Sequence, residues 1–216
     1  MTAATGGAWA TAAGAQGAAD GMVGSGCDFS KSIKDKLIGM CRYNTRVSQG
    51  FIKYMNLAIH GEACPRDVKS LIAKGAVTWN DGGGAPKPTV LGRSLMMSAQ
   101  LGITFLDACV LAVTYRYARG LSEITECKMR TVVMPLRTIQ NYLVDWPCGD
   151  PMICKSVSRL RNAGLLPRSM NGRVACDMRR LAGIHEELVG LDGWVERVSN
   201  EMRMMLIAER TGAANP

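Results

Sequence analysis

The sequence predicts an all-helical protein. Apolar positions in the long segments step by three or four residues, no segment alternates convincingly as a strand would, and glycines and prolines fall at helix-length intervals. At 216 residues the chain is long enough for one domain or two small lobes, each with some core of its own.

Residues 1–26 are almost entirely Ala, Gly, Thr and Ser and can bury little, so they read as a disordered tail or an arm that orders on a partner. In FIKYMNLAIH, residues 51–60, apolar side chains at 51, 52, 55, 58 and 59 recur at helical spacing and stop at Gly61. Pro65 then suits the first turn of a helix running to Lys74, with Gly75 closing it. Residues 79–92 carry three consecutive glycines and two prolines and read as a loop. Helix is predicted to resume over 93–118 and to end at Gly120.

The segment DPMICKSVSRLRNAG, 150–164, has the clearest helix signature, with Asp150 as N-cap, Pro151 in the first turn and Gly164 at the end. Advancing 100° per residue places Ile153, Val157 and Leu160 within a sector of about 60°, with Lys155 and Arg159 on the opposite side. Between 181 and 209 the apolar positions again step by three or four, and Gly190 and Gly193 predict a break between two helices. The methionines at 202, 204 and 205 suit an adaptable core or a contact with another subunit.

Charge is distributed unevenly. Residues 1–109 carry 11 Lys and Arg against 7 Asp and Glu, residues 110–180 carry 12 against 5, and residues 181–216 carry 3 against 6. The positive field therefore sits in the middle, where Arg outnumbers Lys by ten to two. Arginine forks match phosphate oxygens, which points to a polyanionic partner; the alternative is a solvated basic face.

Other chemistries find little support. There is no G-x-x-x-x-G-K-[ST], G-x-S-x-G or H-E-x-x-H, and Glu186 and Glu187 beside His185 point in different directions on a helix, so no catalytic residue is assigned. The eight cysteines form no Cys-x-x-Cys pair and there are two histidines, which argues against a metal site and for reduced, core-filling thiols. No cofactor is expected. Residues 95–115 are long enough to span a bilayer, yet their eight Leu, Ile, Val and Phe contribute only about −4 kcal/mol, against about +3 for Asp107 and further costs for its polar neighbours. A buried helix is expected, without membrane insertion.

Three segments taken in order, FIKYMNLAIHGEACPRDVKSLIAKG (51–75), FLDACVLAVTYRYARGLSEITECKM (105–129) and DPMICKSVSRLRNAG (150–164), resemble the nucleocapsid proteins of phenuivirus-type bunyaviruses and the related tenuiviruses. The resemblance implies a compact two-lobe helical nucleoprotein with a flexible N-terminal arm: arm 1–45, N-lobe 46–135 and C-lobe 136–216. It implies encapsidation of single-stranded RNA without sequence specificity and oligomerisation into a ring or filament through the arm. A viral polymerase is a further partner of such proteins, and the virion ribonucleoprotein and host cytoplasm are the expected locations. The family's groove arginine maps onto Arg119, the lysine after its turn onto Lys128, and the arginine of its Leu-Ser-Arg motif onto Arg159.

Arg116, Arg130, Lys155 and Arg137 complete the expected RNA contacts, with Tyr115, Tyr117 and Tyr142 as base-stacking platforms or, alternatively, core rings with surface hydroxyls. An assembly protein, such as an organellar ribosome component or another filamentous-virus coat protein, would share the basic helical character. So would a small protein anchored to membranes by 95–115.

Overall fold

A computed structural model describes residues 47–79, 84–124 and 131–211 of the chain. The protein is mainly α-helical, with seven helices and two small two-stranded antiparallel ribbons among these residues. The predicted arm, residues 1–45, lies outside them.

Helices α1 (Gln49–Ile59) and α2 (Pro65–Ala73) fall where periodicity and punctuation place them. Gly61 and Gly75 follow them with φ of 74° and 69°, a left-handed conformation that side-chain-bearing residues adopt at a cost. A short ribbon pairs β1 (Val77–Thr78), just before the predicted loop, with β2 (Lys87–Pro88) inside it. Thr89 then caps α3 (Val90–Gln100): its Oγ1 accepts from Gly92 N at 3.0 Å and donates to Gly75 O at 2.6 Å, tying the helix start to the end of α2. Only glycine fits at 92, because a Cβ there would lie 1.9 Å from Ala76 O.

The single helix expected over 93–118 is two helices. The chain turns at Leu101–Thr104 through Gly102 (φ 65°), and α4 begins at Phe105 and passes Gly120 to Ile124. A reciprocal capping box fixes the restart, with Thr104 Oγ1 accepting from Asp107 N and Asp107 Oδ2 accepting from Thr104 N, both at 3.1 Å. The apolar stretch is thus divided, and no described helix is long and apolar enough to cross a membrane.

After α4 come β3 (Thr131–Pro135), α5 (Leu136–Tyr142), α6 (Asp150–Asn162), β4 (Arg173–Asp177), a 3₁₀ turn (Ala182–Ile184) and α7 (His185–Thr211). Helix α6 matches its prediction, with Gly149 rather than Asp150 at the cap position and Gly164 at φ 72° beyond its end. The ribbons correct the purely helical expectation. In β3, Val132 and Met134 point inward opposite Cys176 and Val174, while Thr131, Val133 and Pro135 point out. Five residues are too few for alternation to show in sequence, and the pairing partner lies far along the chain.

Helix α7 runs without the break predicted at Gly190 and Gly193. Each glycine costs about 1 kcal/mol in a helix, but burial of Leu188, Leu191, Val195 and Val198, all at most 2% exposed, contributes about 1.5–3 kcal/mol apiece. Packing outweighs propensity.

Helix α4 is the centre of the molecule. Every residue from Phe105 to Tyr115 is buried, and α7, α6, β3 and α3 all lie against it. The main core runs from Leu95 to Met202; a smaller cluster of Met55, Ala58, Val68, Leu71, Ala76 and Val77 sits beneath α1 and α2.

Candidate nucleic-acid interface

The residues expected to contact RNA occupy different environments. Arg159 on α6 reaches inward to Asp107 of α4, a carboxylate only 1% exposed. Its NH2 donates to Asp107 Oδ1 at 2.6 Å, and its Nε lies 3.0 Å from Oδ2 and 3.1 Å from Oδ1. Ser156 also donates to Oδ1, while Oδ2 serves the Thr104 cap. One aspartate therefore caps α4, binds α6 and neutralises Arg159. The side chain of Arg159 remains 29% exposed.

Arg116, farther along α4, faces α7 and α5. Its NH2 donates to Glu196 Oε1 at 3.3 Å, Asp192 Oδ2 lies 3.7 Å from its NH1, and it donates to the Tyr142 hydroxyl while lying 5.2 Å from that ring's centre. Burial pushes the Asp192 carboxyl up to about 6, with Glu196 adding to the shift and Arg116 opposing it. Tyr142 is pushed up to about 12, again by burial first.

Of the three tyrosines only Tyr115 is a core ring; Tyr117 and Tyr142 are half-buried. Tyr115 is buried with its hydroxyl 2.8 Å from His185 Nδ1, and Tyr117 meets the edge of Tyr142 with centroids 6.0 Å apart.

Arg119 pairs with Glu123 one turn on at 3.3 Å, and Arg137 pairs with Asp150 at 3.1 Å; both pairs are exposed. Lys155 is exposed on α6. Lys128 and Arg130 lie outside the described residues.

Among the described residues, Arg116 and Arg119 are set apart from Arg159. At 100° and 1.5 Å per residue, Arg116 lies on the opposite side of α4 from Asp107 and about 13 Å along it, and Arg119 about 18 Å along. Arg159, held at Asp107, is therefore well separated from both.

A second set of arginines was not singled out by motif, yet the structure gathers it. Between 155 and 180 the chain carries seven Lys and Arg and one acid, Asp177. Arg161, at the other flank of α6 from Lys155 and Arg159, donates through NH2 to Ser169 Oγ and Arg173 O, both at 2.6 Å. Arg180 donates to Gly164 O at 3.3 Å and pairs with Asp177 at 3.5 Å. Two arginines thus bind the loop after α6, and β4 with it, to the helix end, where carbonyls lack partners and cations are favoured. Arg168 on the same loop, Arg173 on β4 and Arg179 in the turn after it are exposed. Local charge density was the signal that could have found them.

Among the described residues no group of three His, Cys, Asp or Glu could hold a metal ion. Cys109, Cys148 and Cys176 are buried, and burial pushes Cys176 up to about 12, with Asp177 adding to it, which makes it a poor nucleophile. Comparison with protein families, curated proteins and solved structures finds no match to this chain.

Proposed function

We propose that this chain is a non-catalytic nucleocapsid-type protein that coats single-stranded RNA without reading its sequence. The observation that carries the reading is charge polarity: residues 110–180 hold twelve Lys and Arg against five acids, whereas residues 181–216, most of them in α7, hold three against six. Such an excess of arginine over acid in one segment attracts a phosphate chain. Contacts to phosphate need no base-edge code, which suits an encapsidating protein.

The finer parts of the reading rest on the resemblance and on the hydrophobic pattern. Two lobes and an N-terminal arm docking on the next protomer would build a ring or filament, with a viral polymerase as further partner and the virion and host cytoplasm as locations. Met204, 65% exposed, and Ile207, 47% exposed, leave apolar surface near the end of α7 that favours contact between copies.

Purification without nuclease tests the proposal. An absorbance ratio at 260 and 280 nm typical of nucleoprotein is expected, with multi-subunit particles under negative stain. Nucleic-acid-free single protomers would remove the reading.

A further inference from the structure

Arg161 and Arg180 are engaged in holding the loop after α6 and strand β4 to the helix end, as described above. Arg168, Arg173 and Arg179 have no such task. All three are exposed, and none of their guanidinium groups has a hydrogen-bond or ion-pair partner among the described residues. The acid nearest in sequence, Asp177, is already occupied by the Arg180 side chain and by the backbone N–H of Arg179, 3.1 Å from its Oδ1.

We infer that this loop and strand, through Arg168, Arg173 and Arg179, form the contact surface for a single-stranded phosphodiester chain, in place of a trough containing Arg119 and Arg159. This rests on the RNA-binding reading above and gives it a location.

Strand β4 spans about 13 Å from Arg173 to Asp177 at about 3.3 Å per residue, with Arg168 in the loop before it and Arg179 in the turn after it, so the unpaired cations are carried by three successive segments. Separate cations match the repeated charges of a polymer better than one small anion. Ser169 Oγ donates to Arg173 O at 2.7 Å, and Gly172, at φ 72°, completes the turn into β4, so the arginines stand on a braced scaffold.

Apolar groups are interleaved with them. Met170, 79% exposed, lies between Arg168 and Arg173, and Val133, 48% exposed, stands on the outer face of the ribbon opposite Ala175. The faces of unstacked bases can rest on such groups, whereas in a duplex those faces are covered by neighbouring base pairs, so the face favours a single strand.

The test uses the full-length protein, stripped of endogenous nucleic acid at high salt, and fluorescence anisotropy with a labelled oligouridylate of about 12 nucleotides. The variant Arg168→Gln/Arg173→Gln/Arg179→Gln should bind on the order of 100-fold more weakly at low salt. Its log–log salt dependence should be shallower by about 2, as expected for three lost phosphate contacts on a single strand. Arg66→Gln/Lys69→Gln/Lys74→Gln on and just after α2 removes the same charge and should change affinity by less than about threefold. Unaltered thermal midpoints confirm that the variants fold.

Equal losses in both triple variants would reduce the effect to net charge and overturn the inference. If Arg119→Gln/Lys155→Gln loses binding while the loop-and-strand variant keeps it, the inference falls and the RNA-binding reading stands. If the unmodified protein binds no oligouridylate, both fall. Loss of self-association at unchanged oligonucleotide affinity would assign the face to a second copy of the chain and also overturn the inference.

Discussion

The arginine at the α4–α6 interface and the arginines around β4 belong to the same basic segment and do opposite work. Arg159 meets a carboxylate 1% exposed and is held by three short contacts, while Arg168, Arg173 and Arg179 meet water. What separates them is the nearest acid, brought by the fold from 52 residues away in one case and already engaged by Arg180 in the other. A cation's role follows from its neighbours in space, so a run of positive charge in sequence mixes structural and binding side chains.

The largest effect should come from the interior side of this comparison. Asp107→Ala leaves Arg159 and Ser156 without their acceptor and removes the α4 cap, so it should destabilise the protein by about 3–5 kcal/mol in chemical denaturation. A loss below about 1 kcal/mol would show that Arg159 is not held as described.

Next comes the half-buried cluster around Arg116. The Asp192 carboxyl, pushed up to about 6 from an ordinary 3.8, binds its proton more tightly in the folded chain than in the unfolded one. Between those values the native state holds more protons, so the contribution of Asp192 is favourable at low pH and lost as pH rises through about 6. Relative to Asp192→Asn, the protein should lose about 1 kcal/mol between pH 5 and 7. A pH-independent difference between the two would break the assignment.

Smaller still, Arg119→Ala should cost less than about 0.5 kcal/mol, since its partner Glu123 lies one turn away on an exposed helix face. At the far end of the scale, the triple substitution of Arg168, Arg173 and Arg179 should leave stability within about 0.5 kcal/mol, because no described partner is lost. A thermal midpoint lowered by several degrees would place those arginines with Arg159 and erase the contrast.

Much of this fold was legible beforehand. Helices α1, α2 and α6 are written locally, in apolar spacing and a glycine after the last turn, with a proline in the first turn of α2 and α6, because backbone entropy and capping are decided within a few residues. The Thr104-x-x-Asp107 capping box was also present as text, yet the apolar run around it concealed the turn at Gly102. The site was less legible. Arg159 stood out through a motif and proved to be engaged with Asp107, whereas Arg161 and Arg180, which no motif marked, organise the basic face.

By itself the sequence determined the mainly helical character, the ends of the early helices and the placement of positive charge ahead of an acidic helix. Tertiary structure alone decided that α7 runs through Gly190 and Gly193, that Thr131–Pro135 pairs with Arg173–Asp177, and which arginines face a carboxylate. The reason is range: propensity and capping act within a turn or two, whereas burial, strand pairing and desolvated ion pairs depend on residues dozens of positions apart that meet only once the core has formed.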